Sequence, residues 1–278
     1  MKIDGKTRTY GIIGNPVSHS LSPAMHNAAF AALGKNCIYI PFCVEDVGAA
    51  MQGLRGLKIK GVSVTIPHKE AVMAHLDRID PVAERIGAVN TIKCEQHHGS
   101  TLLCGYNTDW LGAVRPLQEQ IQLKGSLAVI LGAGGSARAI GFGLLEAGAE
   151  ILLCSRTASR GRNLAADLGC EWFPLEDGLI PEGQILINAT SVGMAPLQDK
   201  SPVPENIPAR FKVVMDIVYV PATTRLLADA QRSGCIAING LEMLLYQGVA
   251  QFELWTGLPA PVEVMRQVLL EAVTVEEE

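Results

Sequence analysis

The sequence predicts an α/β protein of two domains, and three observations carry that reading. Strand-like and helix-like segments alternate along nearly the whole chain. The pattern resets at Leu127–Leu131, a continuous apolar strand that runs into a glycine-rich turn and a small-residue helix. Two helical patterns close the chain, at 241–256 and 261–273, and their apolar stripes need a surface to cover. The first half is expected to receive them. That makes one domain discontinuous, 1–106 plus 240–278, with 107–239 as a second domain that includes a linking helix.

In the first half, strands are expected at 10–14, 38–44 and 61–66, each followed by a helical pattern. The helix from Ser22 carries start and stop signals: Ser22 as cap, Pro23 in the first turn, Gly34 at the end. Segments 89–95 and 101–106 read as a hairpin around His97-His98-Gly99-Ser100. A helix follows Asn107, with Pro116 expected to kink or end it before Lys124-Gly125. After the reset, further strands are expected at 151–154, 184–188 and 213–218. Strands apolar on both faces and separated by helices indicate a parallel sheet covered on both sides.

The totals exclude several classes. A chain of 278 residues with 48% hydrophobic and 18% charged residues has a globular composition, and a net charge of -5 provides no basic footprint for nucleic acid or anionic membrane. No apolar run reaches spanning length, and the polar N-terminal stretch leads straight into a strand, so no signal peptide is expected. Seven cysteines without a CxxC pair point to reduced thiols in the cytoplasm rather than disulfides or zinc. The terminal Glu276-Glu277-Glu278 reads as a solvated tail, and His97-His98 as a hairpin tip. No metal is expected.

The turn after Leu127–Leu131 is Gly132-Ala133-Gly134-Gly135-Ser136-Ala137, which fits the G-x-G-x-x-(G/A) fingerprint between a strand and a helix. Gly132 permits a tight turn, Gly134 lets backbone approach a pyrophosphate, and Ala137 allows helix and strand to pack closely. The helix N-terminus offers free N–H groups. This is the dinucleotide site of a Rossmann-type parallel sheet. Where an NAD site places an acidic residue after the second strand, this chain has Ser155-Arg156-Thr157 with Arg160 following. Guanidinium groups there suit a 2′-phosphate, so the expected cofactor is NADP(H).

Polar residues gather at three places in the first half. Ser18 and Ser20, if extended, project to one side and can bind a carboxylate; the simpler reading is a turn whose serines satisfy backbone groups. Ser63 and Thr65 alternate with Val62, Val64 and Ile66, and Lys69 follows near an expected helix start, where the dipole would lower its pKa unless a carboxylate stands nearby. An exposed lysine is the alternative. Asn90 and the Asn107-Thr108-Asp109 run bracket the hairpin and serve equally well as capping groups.

Taken together, GNPVSHSLSPAMHNAAF, GVSVTIPHKEAV, IGAVNTI, GYNTDWLG, LGAGGSARA, SRTASR, INATSVGM, DIVYVPATTRLL and GLEMLLYQG resemble the shikimate dehydrogenase family in order and spacing, over essentially the whole chain. The resemblance implies reversible reduction of 3-dehydroshikimate to shikimate by NADPH, with Lys69 and Asp109 as the catalytic pair. It implies that Ser18 and Ser20 bind the substrate carboxylate with Tyr219, displacing the simpler reading of the serines. Thr65, Asn90 and Gln247 would hold the ring hydroxyls with Lys69 and Asp109. On the cofactor side it adds Thr190, Ser191, Val192 and Met194, with Ile217, Gly240 and Met243 near the nicotinamide. Many members have Asn where Ser63 stands, and Asn-Arg-Thr where Ser155-Arg156-Thr157 stands; serine keeps a hydrogen-bonding group at both places. The substrate pocket is expected between the two halves, and a homodimer is compatible with this reading. The rivals are a quinate/shikimate dehydrogenase of broader range, a non-catalytic ligand-sensing homologue, and a reductase sharing only the cofactor half.

Overall fold

The computed structural model describes residues 3–176 and 179–276. Glu277 and Glu278 of the expected solvated tail lie outside the described residues. The chain divides into two compact units. One holds the chain up to Thr108 together with Gln247–Ala272; the other runs from Asp109 to Tyr246 and takes the chain from Val273 onward. The cuts fall later than the sequence pattern suggested. The first coincides with the start of a helix, and the second falls inside one.

The first unit is built on a mixed six-stranded sheet of order β2-β1-β3-β5-β6-β4. β1 (Arg8–Gly14) lies parallel to both β2 (Cys37–Cys43) and β3 (Gly61–Val64). β3 is antiparallel to β5 (Thr91–His97), which forms a hairpin with β6 (Ser100–Tyr106); two-residue β4 (Arg78–Ile79) runs parallel to β6. The hairpin strands run closer to the tip than expected, leaving His98-Gly99 as a two-residue turn. Both residues have positive φ, 46° and 85°, the geometry that matches the twist of the flanking strands.

α1 (Ser22–Ala32) begins one residue earlier than the capping signal suggested. Ser22 is inside the helix, Leu21 occupies the cap without a side-chain bond, and the Ser20 hydroxyl accepts the Ser22 N–H at 3.3 Å. Pro23 sits in the first turn as expected. α2 (Val47–Gly56) is capped by Asp46, which accepts the Ala49 N–H at 2.9 Å, and α3 (Pro81–Ile86) by Asp80 in the same manner. Val47, Met51 and Leu54 of α2 join Ile13, Val62, Val64 and Ile92 in one core. The opposite side is aromatic. Tyr10 packs on Phe30 of α1 at 5.2 Å and on Trp255 at 5.5 Å, and Phe30 meets Phe252 at 5.3 Å. Phe252 and Trp255 belong to α8 (Gly240–Thr256), which is followed by α9 (Val262–Glu276).

The second unit is a six-stranded, wholly parallel sheet of order β12-β11-β10-β7-β8-β9. Its strands are β7 (Leu127–Leu131), β8 (Glu150–Ser155), β9 (Glu171–Pro174), β10 (Ile185–Asn188), β11 (Val213–Asp216) and β12 (Ile236–Ile238). Read from β9, the order is the doubly wound 3-2-1-4-5-6 arrangement of a Rossmann-type sheet. α4 (Asp109–Gln118), carrying Pro116, ends two residues after the proline, and α5 (Gly135–Glu146), α6 (Ala158–Leu168) and α7 (Arg225–Arg232) complete the unit. One face of the sheet packs Ala128, Ile130, Ile185 and Met215 against Val114 of α4 and Ile140 of α5; the other buries Val129, Leu131, Leu186 and Val214 against Leu226 and Leu227 of α7. Edge strands β9 and β12 were not anticipated. Both are short and half-exposed, so neither carries a continuous apolar run. Among the described residues, no helix is long and apolar enough to cross a membrane.

His26 of α1 is fully buried and stacks on Tyr39 at 4.5 Å. Burial, partly offset by neighbouring Gln251, pushes its imidazole down to about 3 from 6.5. The unfolded chain therefore takes up this proton first as pH falls. The stability that neutral His26 contributes is full above about 6.5 and declines towards 3, by a few kcal/mol at most. His26→Phe, which keeps the stacking, is expected to flatten the acid limb of a plot of Tm against pH. An acid limb as steep as in the unaltered protein would refute this assignment.

Candidate functional site

The glycine turn of the second unit is shaped by one close approach. Gly132 has φ 116°, and a Cβ there would lie 2.8 Å from the Ala189 carbonyl oxygen, so only glycine lets β7 turn against the end of β10. Gly134 caps α5 in extended conformation with open space where its Cβ would stand, leaving room for a ligand against the backbone. Gly135 and Ser136 open α5, whose first N–H groups are unsatisfied by the helix itself, and Ala137 is buried against the sheet.

Around this turn lies a cavity of about 280 Å³. It is lined by Gly132, Ala133, Gly134, Ser155, Arg156, Thr157, Arg160, Thr190 and Ser191, with Ala189 and Leu175. The first nine are residues the sequence had marked; Ala189 and Leu175 are not. A groove that joins a glycine turn and helix N-terminus at one side to two arginines at the other suits a phosphate-rich ligand. Val192, Met194, Ile217, Gly240 and Met243 do not line it. Gly240 instead abuts Ile217, where a Cβ would meet the carbonyl oxygen at 2.4 Å, and Met243 packs with Ile217 in the core.

Ser155 is committed within the protein. Its hydroxyl accepts the Trp172 indole N–H at 2.9 Å and donates to the Thr157 carbonyl at 3.3 Å. Gly161 of α6 makes this possible, since a Cβ there would stand 2.2 Å from the Ser155 hydroxyl and 2.0 Å from the indole nitrogen. Within the protein, the Ser155 hydroxyl thus braces the strand end that leads to Arg156.

Of the predicted substrate residues, Thr65 and Lys69 of the first unit follow the end of β3, while Asp109 and Tyr219 belong to the second unit. Thr65 packs across Gly14, whose Cβ would lie 2.4 Å from the threonine methyl, and its N–H donates to Ile13 at 2.9 Å. Lys69, half-buried, accepts the Val89 N–H at its carbonyl, 2.8 Å away, and so lies beside the segment, ahead of β5, that bears Asn90. It precedes a five-residue 3₁₀ turn, Ala71–His75, and not an α-helix, so the expected helix dipole is all but absent there. Ser18 is exposed and Ser20 half-exposed in the loop after β1. Asp109, buried, is the first residue of α4, and Tyr219 is half-exposed in the loop after β11.

A buried hydrogen-bond chain supports Asn90. Its Oδ1 accepts the Thr108 N–H at 2.8 Å, and its amide donates to the Thr108 hydroxyl at 3.0 Å. Thr91 donates to the same Oδ1 at 2.7 Å and accepts from Gln251 at 3.0 Å. Gln251 in turn accepts from Ser63 at 2.8 Å, and Ser63 accepts the Tyr39 hydroxyl proton at 2.6 Å. Gln251 was missed by sequence reasoning, although it stands one helical turn beyond Gln247 on α8. Burial keeps Tyr39 protonated by raising its pKa. The second unit contains another buried centre the sequence did not single out: Asp216, whose carboxyl burial pushes up to about 6 against the opposing pull of Thr224, Val218 and Asn188. No group of three or more His, Cys, Asp or Glu among the described residues is arranged to hold a metal ion.

Comparison with known proteins gives this arrangement its relatives. A family model described as the shikimate dehydrogenase substrate binding domain matches residues 12–92, and one described as the shikimate 5'-dehydrogenase C-terminal domain matches residues 240–270. The shikimate dehydrogenase (NADP(+)) of Moorella thermoacetica is 46% identical over 98% of this chain and 96% of its own length. That of Methanothermobacter thermautotrophicus is 47% identical over 96% and 97%. Among solved structures, shikimate 5-dehydrogenase from Thermus thermophilus in complex with NADP(H) and shikimate aligns with a TM-score of 0.88 at 39% identity, covering 96% of this chain and all of that one. Identity at this level over nearly the full length places the chain in the shikimate dehydrogenase family.

Proposed function

We propose that this chain catalyses the reversible NADPH-dependent reduction of 3-dehydroshikimate to shikimate, with Lys69 and Asp109 as its catalytic pair. The observation that carries the reading is the near full-length likeness to NADP-dependent shikimate dehydrogenases, in a chain that has a lysine at 69, an aspartate at 109 and an arginine-flanked groove. The first unit is read as the substrate domain and the second as the NADP domain.

The groove of the second unit fits the cofactor. Gly134 leaves space for a pyrophosphate on the N-terminus of α5, and Arg156 and Arg160 supply charge for a 2′-phosphate. Bound there, NADPH supplies the hydride for the ketone carbon. The protein's own part is geometry and a proton. As the carbonyl oxygen gains negative charge, the Lys69 ammonium gives it a proton; in the reverse direction the Lys69 amine accepts the hydroxyl proton. Asp109 orients the lysine and accepts a hydrogen bond from the reacting hydroxyl. Ser18, Ser20 and Tyr219 hold the substrate carboxylate by neutral donors, and Thr65, Asn90 and Gln247 hold the ring hydroxyls. The buried chain behind Asn90 fixes one of these groups before substrate arrives, which lowers the entropy cost of binding. The reading includes a cytoplasmic location, favoured by seven unpaired cysteines, and assembly as a homodimer.

Purified protein assayed with shikimate or quinate against NADP⁺ or NAD⁺, followed by nicotinamide absorbance, tests the function. Shikimate with NADP⁺ is expected to give the highest kcat/KM, and a preference for quinate or NAD⁺ would replace this reading with that of a broader enzyme. Lys69→Ala is expected to lower kcat by about 10²–10⁴-fold with an unchanged circular dichroism spectrum. Near-normal turnover in that variant would remove the lysine from the chemistry. Arg156→Ala is expected to raise the KM for NADP⁺ roughly 10–100-fold while barely moving that for NAD⁺. Equal effects on both cofactors would mean that the guanidinium does not read the 2′-phosphate.

A further inference from the structure

At the C-terminal ends of β10 and β11, Asn188 and Asp216 stand opposite each other in register. Both are wholly buried. Asp216 Oδ1 accepts two N–H groups, from the Asn188 amide at 2.9 Å and the Val218 backbone at 3.0 Å, while Oδ2 accepts the Thr224 hydroxyl at 2.7 Å. The donors are all neutral. A carboxylate is the side chain that can accept three bonds at two oxygens in this geometry; an amide offers a single acceptor atom.

Two loops hang from these bonds. Through Asn188 the network reaches the loop after β10. Asn188 Oδ1 accepts both the N–H and the hydroxyl of Thr190, at 3.0 and 2.7 Å, its amide also donates to the Val192 carbonyl at 3.0 Å, and Thr190 accepts the Val192 N–H at 3.1 Å. Through Val218 and Thr224 it holds the loop after β11, which contains Tyr219 and ends where Thr224 caps α7 by accepting the Leu227 N–H. The loops touch at Gly193, where φ is 103° and a Cβ would lie 3.4 Å from that of Thr224.

We propose that Asp216 is a positioning residue for the reaction: its carboxylate sets together the Thr190–Val192 segment, whose Thr190 lines the cofactor groove, and the Tyr219 segment that holds the substrate carboxylate. This rests on the function proposed above. Arg156, just after β8, and Arg160 of α6 line the same groove as Thr190 and share none of these hydrogen bonds. Asp216 touches neither ligand. It acts by holding the strand-end loops that do, at the edge of a parallel sheet where ligands of this architecture bind.

Calorimetry measures NADPH binding to the full-length protein and to Asp216→Ala, and circular dichroism follows the fold of both. The proposal expects NADPH affinity to fall by roughly tenfold or more and kcat to fall with it while the spectrum stays unchanged, and Asp216→Asn, with its single acceptor atom, to recover little of either. A spectrum lost along with the affinity would overturn it in favour of a general loss of fold; unchanged NADPH affinity and kcat would overturn it as well, and so would full recovery in Asp216→Asn. Should Asp216→Ala fail to fold, Thr224→Ala releases the Tyr219 loop alone. It is expected to raise the KM for shikimate, with Thr224→Ser restoring it, and an unchanged KM would count against the proposal. The binding arms need no turnover. If the unaltered protein oxidised no shikimate, the function proposed above would fail, yet the Asp216 clamp would still be decided by the NADPH affinity.

Discussion

Much of the second unit depends on a single steric fact, the passage of backbone at Gly132 within van der Waals reach of Ala189. Two parallel strands, β7 and β10, pair through Leu131 and Asn188, and the chain leaving the first must bend sharply without lifting the second. Any side chain at Gly132 would meet the Ala189 carbonyl oxygen at 2.8 Å. Because the bend is tight, α5 starts beside the sheet edge, Ala137 packs flat on it, and the N–H groups of the first turn open into the groove. The same contact anchors the start of the segment that continues through Thr190. One missing methyl group thus brings the glycine turn and the loop after β10 into a single surface.

Polar side chains organise the rest by a second rule. Each unit contains a buried polar network: Tyr39, Ser63, Gln251, Thr91, Asn90 and Thr108 in one, all without formal charge, and Asn188 and Thr224 around the Asp216 carboxyl in the other. Neutral hydrogen bonds contribute little net stability, but leaving any member unsatisfied costs more than the bond is worth. Such networks therefore resist partial rearrangement. They fix loop conformation in advance, which is of use where loops must meet a small, polar, chiral ligand.

The legibility of this arrangement in the sequence followed the range of the interactions. The parallel sheet was readable from Leu127–Leu131 and its glycine turn because strand, bend and helix start are local, and nine lining residues of the groove were named for the same reason. The α1 cap was misplaced because Ser20 and Ser22 are equally good local candidates, and only geometry shows that the former accepts the N–H of the latter. β9 and β12 escaped notice as half-exposed edges. Gln251 could not be read at all from its surroundings: its partner Thr91 is 160 positions away. Asp216 did not stand out within the strand expected at 213–218, since its meaning lies in Asn188 on a neighbouring strand. The bond from Trp172 to the Ser155 hydroxyl could not be read, because Trp172 sits on one of the strands that went unseen.

The pairing of Asn90 with Thr108 has a practical consequence for building hybrid proteins. The side chain of Asn90 serves Thr108 much as a neighbouring strand would, taking its N–H and giving back a bond to its hydroxyl. Thr108 is thereby stitched to the first unit although it stands immediately before the helix that opens the second. A recombinant that grafts one parent's cofactor module onto another's should be spliced after this threonine. A crossover even a residue or two earlier would pair an asparagine from one lineage with a threonine context from another, and the seam would carry the mismatch to the residue that follows, Asp109.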